Sequence, residues 1–376
     1  MRFLERERTA LEGFLPGLDG RLAALPQDEL ERPGGPALGL FKEAGGAGLL
    51  VPSEHKGLGA SAVEAVLLQR AVGSRAPSLA VATTMHHFSV AGMVQAYEVT
   101  KGLEWMLLEA VAEQRLLMAS GFAEGRSGQS ILASSITARQ DGDDLVLNGA
   151  KKPCSLSASM DLLTASVLLD TDGGPRLAVA VIPATTPGIS VHPFWGSTVL
   201  AGAESDEVRL RDVRVSPDMV VRTERGEDGG MDPVQTVGFV WFELLMAASY
   251  LGMASALAER VLDRRKGDPA ERARILVELE AAMGGVTDAA SALDTGGPVG
   301  QAELARSLVC RFAAQAAVDR VVPRCLEALG GMSYVSGDET SYLAACAGAL
   351  KFHPPSFGRA AEALCTAYAG GPLVLG

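Results

Sequence analysis

The fold of this chain turns on residues 118–161, MASGFAEGRSGQSILASSITARQDGDDLVLNGAKKPCSLSASMD. The stretch opens on a loop rich in glycine and serine, Gly121 to Ser130. Ser134–Ala138 and Asp144–Leu147 read as strands joined by an Asp141-Gly142 turn, and Asn148-Gly149 reads as a second turn. After Lys151-Lys152 comes a small-polar loop, Pro153 to Ser159. Two strands thus set two loops, rich in backbone N–H groups and hydroxyls, side by side. Such a place can receive a polar or phosphate-bearing ligand. The same residues also read as two ordinary hairpin loops, and their chemistry alone does not separate the readings.

The flanks differ in character from this centre. In residues 1–117, Leu11, Leu15, Leu18, Leu22 and Leu25 recur at helical spacing, and Val63–Val72 is an apolar helix. From Ala119 to Val221 the pattern is strand-like. Asp161–Leu169 and Arg176–Ile182 are apolar and β-branched, Ile189–His192 is short, and Glu207–Val215 alternates with one wet face. Five or more strands without an intervening helix predict a small antiparallel barrel or sandwich. A charged linker, Arg222–Asp232, follows, and residues 233–376 turn helical over about 234–265, 269–292 and 299–329.

Composition narrows the function. The chain has 376 residues, 48% of them apolar, enough for a large core and two or three domains. A formal charge of −12 argues against nucleic acid or anionic membranes as general partners. Cys154, Cys310, Cys325, Cys346 and Cys365 are scattered without a C-x-x-C pair, as in a reducing cytoplasm, and no cluster suggests a metal. The N-terminus lacks the apolar run of a signal peptide. Pro233–Ala258 carries a single charge, Glu243, and reads as the central helix of a bundle rather than a membrane span. His86 and His87 are neighbours on a helix, about 100° apart, and cannot form one chelate.

With these residues in view, the chain resembles the acyl-CoA dehydrogenase family of flavoenzymes. Ala123-Glu124-Gly125-Arg126-Ser127-Gly128-Gln129-Ser130 is in register with the family's Thr-Glu-Pro-x-x-Gly-Ser-Asp. Asn148 to Leu156 matches Asn-Gly-x-Lys-x-Trp-Ile-Thr-Asn, with Pro153 in place of the aromatic that packs by the flavin. Val51 to Gly59 is similar to Val-Pro-Glu-x-x-Gly-Gly-Leu-Gly, and Glu327 to Tyr334 to Gln-x-Leu-Gly-Gly-x-Gly-Tyr. The resemblance implies an α+β protein with an N-terminal helical domain (1–117), a middle antiparallel β-barrel or sandwich (118–222) and a C-terminal helical bundle (223–376). It implies FAD, with Glu124, Gly128, Ser130 and Ser155 at positions the family uses for the flavin. Arg264, Arg265, Glu327, Gly330 and Gly331 would meet FAD across a subunit interface. A homodimer or homotetramer follows from the same resemblance.

Acyl-thioester desaturation needs a carboxylate to take the α-proton while the flavin takes a hydride. The family's Tyr-Glu-Gly turn falls on Phe352-His353-Pro354, where no carboxylate stands. His353 is either a substitute base or a structural histidine. Glu243 stands one residue past the family's alternative base position, which Phe242 occupies. It is either a proton acceptor of raised pKa or a buried carboxylate paired with an arginine elsewhere.

The leading expectation is an FAD-dependent dehydrogenase (EC 1.3-type) of secondary metabolism. Its substrate would be an acyl thioester on CoA or an acyl carrier protein, with a partner protein or oxygen accepting the electrons. Two alternatives stand beside it: a catalytically silent partner subunit, and a flavin-dependent oxygenase on the same fold.

Overall fold

The computed structural model describes residues 2–125, 134–170, 174–222, 231–335 and 339–375. The first third is helical: α1 Glu5–Phe14, α2 Leu18–Ala23, α3 Gln27–Glu31, α4 Pro36–Glu43, α5 Ala62–Arg75, α6 Pro77–Thr100 and α7 Glu104–Glu113. The start of α5 is fixed locally by a capping box. The Ser61 hydroxyl accepts from the Glu64 N–H at 3.2 Å, and the Glu64 carboxylate accepts from the Ser61 N–H at 2.8 Å.

Among the described residues eight strands follow: β1 Met118–Gly121, β2 Thr137–Asp141, β3 Asp144–Cys154, β4 Leu162–Leu169, β5 Arg176–Pro183, β6 Ile189–His192, β7 Asp206–Val215 and β8 Val220–Arg222. Their order is β6-β7-β3-β2-β4-β5-β8, with β1 also against β4. The sheet is mixed where an antiparallel one was expected, because β1 and β2 both run parallel to β4. Alternation along a strand reports which face is buried but carries nothing about the direction of its neighbours.

Asn148-Gly149 is not a turn but lies opposite a bulge in β7. β3 continues through the pair, and the register with β7 steps from Leu147↔Val213 to Gly149↔Leu210. Asp212 takes the extra residue with φ 52°. The Asn148 side chain fastens the bulge, donating to the Asp212 carboxylate at 3.1 Å and accepting from the Asp212 N–H at 2.9 Å. A Cβ on Gly149 would stand 2.5 Å from the Ile136 side chain, so the site needs glycine.

The last third comprises α8 Pro233–Asp263, α9 Pro269–Asp294, α10 Gln301–Leu329, α11 Gly331–Val335, α12 Thr340–Ala347 and α13 Phe357–Tyr368. Asp232 caps α8 and Asp268 caps α9, each accepting an N–H three residues on at 2.8 Å. α8 is the axis of the molecule and packs on α5, α6, α9, α10 and α12. Among the described residues it alone is long and apolar enough to cross a membrane, yet 94% of that window lies inside the protein. Its crossing with α5 is close: a Cβ on Gly252 would stand 2.3 Å from the Arg70 carbonyl, and one on Gly73 2.3 Å from that of Ser249.

Candidate active site

Between the sheet, α6, α8 and the turn after α12 lies a cavity of about 680 Å³. The sheet gives Ser120, Thr164, Leu177, Val179 and Val181, and α6 gives Met85, Phe88, Ser89 and Met93. α8 contributes Gln235, Gly238, Phe239 and Phe242; the C-terminal turn contributes Phe352, His353 and Pro354. Both loops of the deciding stretch reach it, through Phe122 and Ala123 on one side and Pro153 and Ser155 on the other. The two loops form one wall, held where β3 runs past residue 124: Lys152 N–H donates to the Ala123 carbonyl at 2.8 Å.

The polar atoms are few. Ser155 and Ser205 share a hydroxyl hydrogen bond of 2.9 Å, and Thr164 donates to the Ala119 carbonyl at 2.9 Å. None of the described lining residues is Asp, Glu, Lys or Arg. His353 is the titratable histidine of the cavity. Burial, helped by the Arg311 cation, lowers its pKa to about 3, so the ring is neutral at neutral pH. Its Nε2 lies 2.6 Å from the Tyr250 hydroxyl.

The expected site residues fall into groups. Ser155 and His353 line the cavity. Glu243 does not: it is fully buried on α8, with Oε2 3.5 Å from Arg311 Nε. Neither of its oxygens, nor Arg311 Nε, has a hydrogen-bond partner among the described residues. Burial pushes Glu243 up to about 8 against the pull of Arg311. The pairing with an arginine is therefore the arrangement found, and one residue of helix rotation separates Glu243 from the cavity-lining Phe242.

Glu124 is likewise turned to structure. Its carboxylate accepts from Lys151 Nζ at 2.8 Å and from the Ser135 N–H at 2.8 Å. Burial pulls its pKa upward, but these donors outweigh that and hold it at about 2. Gly128 and Ser130 lie outside the described residues. Arg264, Arg265, Glu327, Gly330 and Gly331 do not line the cavity. They gather where α8 and α10 end, with Arg264 donating to the Ser333 hydroxyl at 3.2 Å.

His86 is a satisfied core histidine, its Nε2 2.9 Å from the Ala47 carbonyl and its Nδ1 accepting the Met118 N–H at 3.1 Å. Two residues passed over in the sequence matter here, Tyr250 and Arg311. Tyr250 stands seven residues past Glu243, on the same face of α8. Arg311 gave no sequence signal, yet its Nη2 donates to the Leu350 carbonyl at 2.6 Å and to that of His353 at 3.3 Å.

No family model matches the chain. It is 44% identical to isobutylamine N-hydroxylase of Streptomyces viridifaciens, over 99% of this chain and 100% of that protein. Acyl-CoA dehydrogenase FadE12 of Mycobacterium tuberculosis is 27% identical over 78% of each. Among solved structures, KijD3 in complex with FMN and dTDP-3-amino-2,3,6-trideoxy-4-keto-3-methyl-D-glucose superposes with a TM-score of 0.85. That match covers 97% of this chain and 94% of the other at 21% identity, a likeness of fold.

Proposed function

We infer, for a chain that belongs to the acyl-CoA dehydrogenase-like flavoproteins, a flavin-dependent N-hydroxylase acting on a small primary amine. The observation that carries this reading is the cavity wall. Desaturating an acyl thioester, whether on CoA or on a carrier protein, needs a carboxylate at the α-carbon, and no described lining side chain supplies one. Hydroxylating an amine needs no carbon acid. It needs the nitrogen lone pair, and an apolar pocket favours the free base over the ammonium ion. The 44% identity to an amine N-hydroxylase over the whole length supports the same choice.

The residues fit a flavin. Phe122, Ala123 and Pro153 offer an apolar wall for a flat ring, and the Ser155 and Ser205 hydroxyls offer polar contacts at its edge. A flavin bound there supplies, when reduced, the two electrons by which dioxygen yields one oxygen atom to the amine and one to water. The chain's own part is to exclude water with Met85, Phe88, Phe239 and Phe242 and to hold the alkyl group among them. We take the flavin to be FAD. Arg264 and Arg265, on the surface beside Gly330 and Gly331, suit the added phosphate of a flavin held by a neighbouring copy in a homodimer or homotetramer.

The test is direct. The protein is titrated with FAD and with FMN, the bound flavin is reduced, and air is admitted with isobutylamine present. Mass spectrometry should find the amine carrying one added oxygen atom. Absence of that product over a panel of primary amines, with anaerobic bleaching by acyl thioesters, would return the chain to dehydrogenation.

A further inference from the structure

We propose that Tyr250 fixes His353 in the Nδ1–H tautomer, so that the imidazole of the cavity is a hydrogen-bond donor and not a proton acceptor. Two protons are shared between the phenol and the neutral ring, and only one of them can lie in the 2.6 Å contact. If Nε2–H donated to the phenolic oxygen, the phenol's own proton would need another acceptor. Tyr250 is fully buried, and among the described residues His353 Nε2 is its one hydrogen-bond partner. A buried O–H left without an acceptor is disfavoured by about tenfold or more in population. The phenol therefore donates, Nε2 accepts, and the ring proton sits on Nδ1. Burial holds the phenol above its usual range, which keeps that proton in place.

The ring is set from two directions. Tyr250 comes from α8, while Arg311 on α10 binds the backbone of the turn through the Leu350 and His353 carbonyls. Of the two sequence readings of His353, substitute base and structural histidine, this proposal sets aside the first, since its one lone pair is already taken. What an Nδ1–H can hold in an apolar pocket is an acceptor atom. On the oxygenase reading, from which this part of the inference takes its substrate, that atom is the oxygen arriving at the amine nitrogen. His353 is then a contact to the reacting oxygen, and Tyr250 is a positioning residue acting through it.

The full-length protein labelled with nitrogen-15 in its five histidines tests this without flavin or amine. Two-bond nitrogen–proton spectra at neutral pH separate protonated from bare ring nitrogens, and His353→Gln identifies the His353 signals by their loss. The expected result is a protonated Nδ1 and a bare Nε2. A protonated Nε2 would overturn the proposal. Tyr250→Phe should give a mixture of tautomers; an unchanged Nδ1–H would remove Tyr250 from the role. In turnover, Tyr250→Phe should lower kcat about tenfold with amine KM unmoved, a partial loss of one donor's share. A rise in KM alone would instead make His353 a ground-state contact. If the wild type makes no hydroxylamine, the oxygenase reading fails while the spectra still decide the tautomer.

Discussion

Two carboxylates are buried next to the cavity, each beside a cation, and they are built on opposite plans. In the sheet, Lys151 Nζ reaches Glu124 at 2.8 Å, the Ser166 hydroxyl at 2.9 Å and that of Ser134 at 3.1 Å. Every ammonium proton has an acceptor, and Glu124 falls to about 2. In the helices, Glu243 stands 3.5 Å from Arg311, too far for a hydrogen bond, and rises to about 8. The cation that should serve it spends its Nη2 protons on the Leu350 and His353 carbonyls instead. Burial is complete at both cations and at Glu243, and less deep at Glu124; hydrogen bonding differs as well. A buried pair holds its charge only when the remaining donors and acceptors are also met. The sheet pair locks the loop wall on which the flavin would lie, and the helical pair leaves its arginine free to hold the turn that carries His353.

The strongest way to break this contrast is Lys151→Met. It leaves Glu124 buried with only neutral donors, and the loss should be about 3–5 kcal/mol, read by urea unfolding, with flavin affinity falling as the wall loosens. Arg311→Met should cost less, about 2–3 kcal/mol, since it removes two hydrogen bonds to carbonyls while Glu243 can take up a proton. Its sharper effect is local: hydrogen exchange should quicken at residues 350–353, in the turn after α12, ahead of α12 itself. Uniform exchange along the C-terminal third would count against Arg311 as the anchor of that turn.

The two plans also differ in how far the sequence discloses them. Glu124, Lys151 and Ser155 lie within one short stretch, and its two loops could be set side by side from the sequence; that Glu124 takes Lys151 instead of facing a flavin could not, because the register alone does not say which way a side chain turns. The long helices were equally open, because Ser61, Asp232 and Asp268 announce their starts. Asn148-Gly149 misled because a tight turn and a strand facing a bulge can carry the same residues; the Asp212 partner 64 residues away decides between them. The contact of Tyr250 with His353 spans 103 residues, and that of Arg311 with Leu350 crosses between separate elements. Helical periodicity places Glu243 and Tyr250, seven residues apart, on one face but does not say that Glu243 turns to α10 rather than to the cavity. Parallel pairing of β1 and β2 with β4 was hidden for the same reason.

The pH dependence separates the pairs most cleanly, because it has opposite signs at the two carboxylates. Glu124 titrates at about 2 in the fold against an ordinary value of 4.5. The unfolded chain therefore binds its proton more tightly, and the stability it brings is present above pH 4.5 and is lost as pH falls toward 2. Glu243 titrates at about 8 against the same 4.5. Here the folded chain binds the proton more tightly; the contribution is full below pH 4.5 and is lost as pH rises through 8. Glutamine mimics the protonated acid at both places. Glu124→Gln should be destabilised at neutral pH by about 2–3 kcal/mol, with the gap to wild type closing as pH falls below 4.5. Glu243→Gln should match wild type near pH 4.5 and gain on it steadily up to pH 8, the pull of Arg311 being already contained in that value. Urea midpoints of both variants from pH 3 to pH 9 measure the two slopes. Parallel slopes would mean that Glu243 is held as a carboxylate like Glu124, and that Arg311 serves it as well as the turn.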